Sequence, residues 1–122
     1  MVVNSEATTS TSYTDLATND EINGGVTLSA DATLIIKYQA TIELPSGVTP
    51  ETASNRLTID GSTVAATEDS FRVGIEGGRI VSTCVHKAMF TAGNHTFKVQ
   101  HKTLNGSSVA WAQRLLEVYQ QS

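Results

Sequence analysis

The segment from Thr33 to Leu44 alternates between apolar and polar side chains along almost its whole length. Its apolar positions are Leu34, Ile36, Tyr38, Ala40, Ile42 and Leu44, and the polar positions between them include Lys37, Gln39, Thr41 and Glu43. Successive side chains of a β-strand point to opposite faces, whereas a helix would scatter these residues around its circumference. The pattern therefore predicts a strand with one buried face and one solvated face.

Shorter segments repeat this layout along the chain, with turn residues between them. Phe97 and Val99 alternate with polar residues, and Asp60-Gly61 between two apolar segments is a strong hairpin signal. Further strands are predicted over 10–16, 26–28, 56–59, 63–65, 71–75, 79–90, 109–111 and 114–119. Eight to ten short strands without a helical pattern indicate an all-β, antiparallel two-sheet β-sandwich of the jelly-roll type. We expect residues 1–10 to form a flexible or anchoring N-terminal arm and residues 11–122 to form the single jelly-roll domain.

Composition and charge argue against several classes of function. The net charge of −4 gives no basic footprint for nucleic acid, and no apolar run is long enough to span a membrane. The single Cys84 excludes an internal disulfide. The first residues show no basic segment followed by an apolar run, so we expect no signal peptide.

The sequence offers little that would support catalysis or metal binding. His86, His95 and His101 are the only histidines, and their spacing does not match a zinc site, so we expect them at turn edges or on the surface. Cys84 lacks an activating context, and no Gly-x-Ser-x-Gly elbow is present. We therefore predict no enzyme activity, no cofactor and no metal.

Two segments carry apolar residues on both faces of the predicted strand. Over residues 79–90, one face has Val81, Val85 and Met89 and the other has Ile80, Cys84, Ala88 and Phe90; over 114–119, Leu116 and Val118 oppose Leu115 and Tyr119. A strand that is apolar on both faces is usually covered on both, yet a single sandwich covers only one. We therefore expect a second copy of the chain to provide the other cover, with Ile80, Val81, Leu115 and Tyr119 in the contact.

The aromatic residues suggest a different kind of surface. Tyr38 and Tyr119 are predicted to anchor the core. Trp111 follows the flexible Gly106-Ser107-Ser108 segment, and we expect it to be the exposed aromatic at which a glycan could stack. This observation favours a carbohydrate-binding module as the alternative function.

Two segments with a Gly/Ser turn between them resemble a known type of C-terminal sequence. They are Thr91-Ala92-Gly93-Asn94-His95-Thr96-Phe97-Lys98-Val99-Gln100 and Arg114-Leu115-Leu116-Glu117-Val118. Together with Ile59-Asp60-Gly61-Ser62, they are similar to jelly-roll modules of phage and prophage structural proteins. These modules look related in fold to the trimeric heads of tumour-necrosis-factor-like and complement-type proteins. The resemblance implies a homotrimer without catalytic residues.

The resemblance also implies a place and a role. We expect a virion structural protein, made in the host cytoplasm, that acts as a capsid decoration, head fibre or tail-fibre tip in particle stabilisation or host attachment. Its partners would be other virion proteins and a host-surface glycan, without nucleic acid or membrane insertion. No shaft-like segment precedes the domain, which favours a free-standing decoration or a separate tip. A secreted cytokine-like or adhesion domain is a further alternative, which the missing signal peptide disfavours.

Overall fold

The strands alternate between two packed antiparallel sheets in the computed structural model, which describes residues 5–18, 20–44, 51–73 and 78–121. The strands are β1 (Glu6–Thr8), β2 (Asp20–Glu21), β3 (Val26–Leu28), β4 (Ala32–Glu43), β5 (Glu51–Ile59), β6 (Ser62–Thr63), β7 (Asp69–Val73), β8 (Arg79–Phe90), β9 (Gly93–His95), β10 (Phe97–Thr103) and β11 (Val109–Gln120). A 3₁₀ turn at Ala65–Thr67 separates β6 from β7. The predicted all-β architecture is confirmed.

The strand order is that of a jelly roll. The first sheet has the order β1-β11-β4-β8, and the second has β2-β10-β5, with β6 and β7 both paired to β5. Strands β3 and β9 form a separate two-stranded ribbon. The main strands of the two sheets, in chain order, are β1, β2, β4, β5, β7, β8, β10 and β11. Each step along this series crosses from one sheet to the other, except the step from β5 to β7. This is the connectivity of a double-sheet jelly roll.

The core lies between the inner faces of the two sheets. All the apolar positions predicted for one face of β4 are buried, as are Phe97 and Val99 on β10. The larger apolar core residues are Leu16, Leu28, Leu34, Ile36, Ile42, Leu44, Leu57, Phe90, Phe97, Val99, Val109 and Trp111. The alternation in the sequence therefore identifies the inner face of each long strand.

The N-terminal region differs from the prediction. The strand expected over 10–16 is reduced to one bridge between Thr14 and His101, and Tyr13 instead lies on the outer face of the second sheet. Residues 6–8 of the predicted arm form β1 and pair with β11. Residues 1–4 lie outside the described residues, so the anchoring role of the arm stays a prediction.

The two strands predicted for 109–111 and 114–119 are a single strand, β11, interrupted by a β-bulge. The register to β4 shifts between Ala112 and Leu115, and Gln113 has a φ of 50°. A bulge places one extra residue opposite the partner strand and so changes which side chains face inward. As a result both Trp111 and Arg114 point into the core although they are three positions apart.

Gln113 is in the left-handed region, which disfavours residues with a Cβ atom. We expect Gln113→Gly to raise the free energy of unfolding by about 1 kcal/mol and Gln113→Val to lower it by a similar amount. Urea denaturation of the three proteins measures both changes. A more stable valine variant would contradict the assigned bulge.

Candidate functional site

The outer side of the first sheet carries an exposed apolar surface, which we call the open face. It is formed by Ile35 on β4, Val81, Val85 and Met89 on β8, and Leu115 and Tyr119 on β11. Val81, Val85, Met89 and Tyr119 are 67%, 60%, 71% and 45% exposed, respectively. The surplus of apolar residues predicted from the sequence therefore lies outside the core of a single chain.

Charged residues separate the apolar side chains of the open face. Lys37 lies opposite both Glu117 and Val85 in the strand register, and the Tyr119 hydroxyl donates a hydrogen bond to Glu117. Directly opposite side chains on neighbouring strands are close enough to interact. The open face thus combines apolar contact area with fixed charges of both signs.

Strand β8 forms one edge of the open face and of the first sheet. Its twelve residues make it one of the longest strands. A long edge strand with exposed apolar side chains is a favourable site for contact with another chain. The apolar face and the free edge therefore adjoin each other along β8.

Two of the residues predicted for surface contacts occupy other places. Ile80 lies opposite Ile42 on the inner face of the sheet and packs against the core, so its assignment to the contact surface is wrong. Trp111, predicted to be exposed, is fully buried, with its ring 4.8 Å from that of His101. Trp111 is paired with Ile42, which places it on the inner face of the sheet and away from any glycan. Tyr119, predicted both as a core anchor and in the contact surface, lies on the open face, so the core assignment is wrong.

A buried ionic cluster connects the two sheets near β1. Arg114 on β11 donates from Nη1 to Asp20 Oδ2 at 3.3 Å and from Nη2 to Glu6 Oε1. Tyr38 donates from its hydroxyl to Asp20 Oδ2 at 2.8 Å, and its oxygen lies 2.8 Å from Nε2 of His101. Arg114, Asp20, Tyr38 and His101 are all buried. The cluster joins β1, β2, β4, β10 and β11.

His101 is neutral in this cluster. The prediction that it lies at a turn edge or on the surface is wrong, because its even spacing from Phe97 and Val99 places it on the inner face of β10. Burial, followed by the nearby charge of Arg114, lowers the pKa of His101 to about 3. Because the Tyr38 proton is donated to Asp20, Nε2 of His101 must donate to the Tyr38 oxygen.

Burial also raises the pKa of Asp20, while the charge of Arg114 and the hydrogen bond from Tyr38 act in the opposite direction. Arg114 therefore provides the positive charge that a buried carboxylate needs. The sequence did not indicate this cluster, since its members are far apart along the chain. Arg114 gave no local signal, because the same strand also carries Gln113 and the charged Glu117.

Removal of Arg114 should leave Asp20 and Glu6 without their cation. We expect Arg114→Leu to lower the free energy of unfolding by about 3–5 kcal/mol. Arg79→Leu is the matched control, because Arg79 is exposed and lies 3.8 Å from Glu43; it should change stability by about 0–1 kcal/mol. Denaturant unfolding of both variants tests this, and equal effects would contradict the role of Arg114.

A second buried carboxylate orders the loop before β11. Glu51 is fully buried and accepts hydrogen bonds from the backbone N–H groups of Thr52 at 2.9 Å, Asn105 at 3.0 Å and Ser107 at 2.9 Å. Burial acts to raise the pKa of Glu51, but these donors outweigh it and the pKa lies below the ordinary value. Glu51 thus acts as the acceptor that fixes the Asn105-Gly106 turn.

His95 connects the β5–β6 turn to the segment before β10. Its Nδ1 lies 2.8 Å from Oδ2 of Asp60, and its Nε2 lies 2.7 Å from the carbonyl oxygen of Thr91. A carboxylate and a carbonyl oxygen both accept, so both contacts are hydrogen bonds only when the imidazole is protonated. The bond to Asp60, together with that to Thr91, raises the pKa of His95. The pKa of Asp60 is lowered by its hydrogen bond with His95 and by a second hydrogen bond that it accepts from the Thr96 N–H. The position of His95 at a turn edge is as predicted.

This pair should make stability depend on pH. The contribution of His95 to the free energy of unfolding is fully present below pH 6.5 and is lost as the pH rises through its raised pKa. The contribution of Asp60 is present above pH 3.8 and is lost on acidification. Because the lowered pKa of His101 acts in the opposite direction below about pH 6.5 in both proteins, we expect the thermal midpoint of Asp60→Asn to lie further below that of the unmodified chain at about pH 5.5 than at about pH 8.5. His86→Gln is the control, since the imidazole of His86 makes no hydrogen bond to the described residues; its backbone pairs with Ile36 in the sheet. The same pH dependence in Asp60→Asn as in the unmodified chain would contradict the assignment.

Within the described residues, no three His, Cys, Asp or Glu side chains are grouped so that they could hold a metal ion. In the same residues, no helix is long and apolar enough to cross a membrane. No known protein-family model and no curated protein matches the sequence.

Proposed function

We propose that the chain is a non-enzymatic structural protein of a virus particle that acts as a homotrimer. Its place would be a capsid decoration, a head fibre or a tail-fibre tip, with a role in particle stabilisation or host attachment. The observation that supports this proposal is the open face, an apolar surface on the outside of a jelly-roll sheet. The resemblance of Thr91–Gln100 and Arg114–Val118 to phage structural modules supports the viral setting.

The size of the open face is compatible with stable association. Full burial of a Val, Leu or Met side chain contributes about 1.5–3 kcal/mol relative to exposure. The open face contains six large apolar side chains, counted from its definition above. The free energy gained by burying all of them is of the same order as the free-energy cost of association, about 4–15 kcal/mol. Self-association through this surface is therefore energetically reasonable.

A contact between the β8 edge of one copy and the open face of the next would produce a ring rather than a two-fold dimer. The edge strand β8 and the open face are different surfaces, so a contact of the edge of one copy with the face of the next is heterologous. Heterologous contacts close into rings when the rotation between copies permits it. The resemblance to trimeric heads implies a ring of three.

The molecular mass in solution tests this assembly. Sedimentation or light scattering at micromolar concentration should give three times the 13.0 kDa of one chain. Val85→Asp and Leu115→Asp should each dissociate the trimer without loss of the β-type circular dichroism spectrum, because each places a charge in the contact. Leu104→Asp is the matched control for Val85→Asp, since Leu104 is 62% exposed against 60% for Val85 and lies outside the open face.

A monomeric unmodified chain, or a trimer that persists in both open-face variants, would contradict the proposed assembly. The viral placement has a separate test in the genomic neighbourhood of the coding sequence. We expect capsid or tail genes beside it. A neighbourhood without any virion gene would count against that placement.

A further inference from the structure

The outer face of the second sheet carries a groove on the side of the sandwich opposite to the open face. Its volume is about 700 Å³, within the range of about 300–1,000 Å³ usual for small-molecule sites. Strand β5 contributes Arg56 and Thr58, and β10 contributes Lys98 and Gln100. The turns at Asn23-Gly24-Gly25 and around Gly61 form its walls. The strand register places the β5 and β10 residues in adjacent pairs, Arg56 with Gln100 and Thr58 with Lys98.

The lining of the groove is mostly polar, and several of its side chains make no hydrogen bond to another described residue. Asn23, Thr63 and Thr96 make no side-chain hydrogen bond to any part of the described chain. Asn94 accepts a hydrogen bond from Thr27 through Oδ1, so its side-chain nitrogen remains available. Amides and hydroxyls arranged in this way can both donate and accept. They match a ligand that presents many hydroxyl groups.

Arg56 is held in a fixed orientation beside these groups. Its Nε and Nη2 donate to Oε1 of Gln100 at 3.2 and 3.0 Å, and its guanidinium lies 4.1 Å from the centre of the Tyr13 ring. Its acidic neighbour, Glu68, has its carboxylate 3.6 Å from Nη1, and the Glu68 side chain is 43% exposed. A guanidinium positioned in advance loses less conformational freedom when it binds a carboxylate.

Lys98 supplies the second positive charge, one strand away from Arg56. Its ammonium lies 3.2 Å from Oδ2 of Asp15, and both side chains are about one-third exposed. Exposed ion pairs of this kind add little net stability, so a carboxylate on a ligand can compete with Asp15 for Lys98. Glu21 lies in the lining. Asp15 and Glu68 are the ion-pair partners of the two cations, so an acidic ligand has to displace these carboxylates from Lys98 and Arg56.

We propose that this groove binds an acidic saccharide, with Arg56 and Lys98 contacting its carboxylate and Asn94, Thr63 and Thr96 contacting its hydroxyl groups. The site differs from the one predicted at Trp111, which is buried. The lining offers no exposed aromatic ring on which a sugar could stack. A single groove should therefore bind weakly, with a dissociation constant on the order of 1 mM.

The proposal does not depend on the trimer or on the viral setting. The groove and the open face are the two opposite outer surfaces of the sandwich, so assembly through the open face leaves every groove accessible. Several grooves on one particle would raise the overall affinity for a surface that carries many copies of the saccharide. A monomeric chain that binds the saccharide would contradict the trimer and leave the groove proposal intact.

Titration followed by ¹H–¹⁵N NMR tests the site directly. The probes are 3′-sialyllactose, which carries a carboxylate, and lactose, its neutral counterpart. We expect 3′-sialyllactose to shift the amide signals of residues 56–63 and 94–100, and lactose to bind at least about tenfold more weakly. Lys98→Gln and Arg56→Gln should each weaken the binding by about tenfold. Lys87→Gln, an exposed lysine on the open face, is the matched control and should bind as the unmodified chain does.

Three results would overturn the proposal. These are the absence of shifts at millimolar concentrations of 3′-sialyllactose, shifts confined to residues outside the groove, and equal binding of the two probes. Digalacturonic acid, tested in the same way, distinguishes a general requirement for a carboxylate from recognition of sialic acid. Binding of both acidic probes with the same variant effects would support the general requirement.

Discussion

The guanidinium of Arg114 lies between the two sheets and neutralises carboxylates that approach it from separate strands. Asp20 begins β2 in the second sheet, and Glu6 lies on β1 at the edge of the first. A buried carboxylate without a cation would be strongly destabilising, so the positions of β1 and β2 depend on this one side chain. The bulge at Gln113 is the backbone feature that turns Arg114 inward. The ends of both sheets are therefore tied together through a local irregularity of β11.

The two outer surfaces of the sandwich differ in chemistry. The open face on the first sheet presents aliphatic and aromatic side chains separated by charges, which suits contact with another protein chain. The groove on the second sheet presents amides, hydroxyls and two cations, which suits a small polar ligand. Because the sheets are packed back to back, both surfaces can be used at the same time. The two proposals therefore place self-association and ligand binding on different surfaces of the sandwich.

Much of the fold could be predicted from local patterns. The alternation from Thr33 to Leu44 identified both the strand and its buried face, and Asp60-Gly61 identified the hairpin turn. The apolar residues on both faces of residues 79–90 pointed to the outward position of Val81 and Val85. The first strand was misplaced because its Ser- and Thr-rich sequence has no apolar alternation that would fix its position.

The sequence by itself determined most of the longer strands, their inner faces and the excess of apolar side chains, because each of these follows from the two-residue period of a strand. The tertiary structure alone decided that Val109–Gln120 is one bulged strand and that Arg114 on it faces the core. Those outcomes depend on strand register and on the bulge in β11, which are set by pairing between distant segments. The same applies to the Arg114 cluster and to the groove, since both are assembled from residues on strands that meet only when the two sheets close.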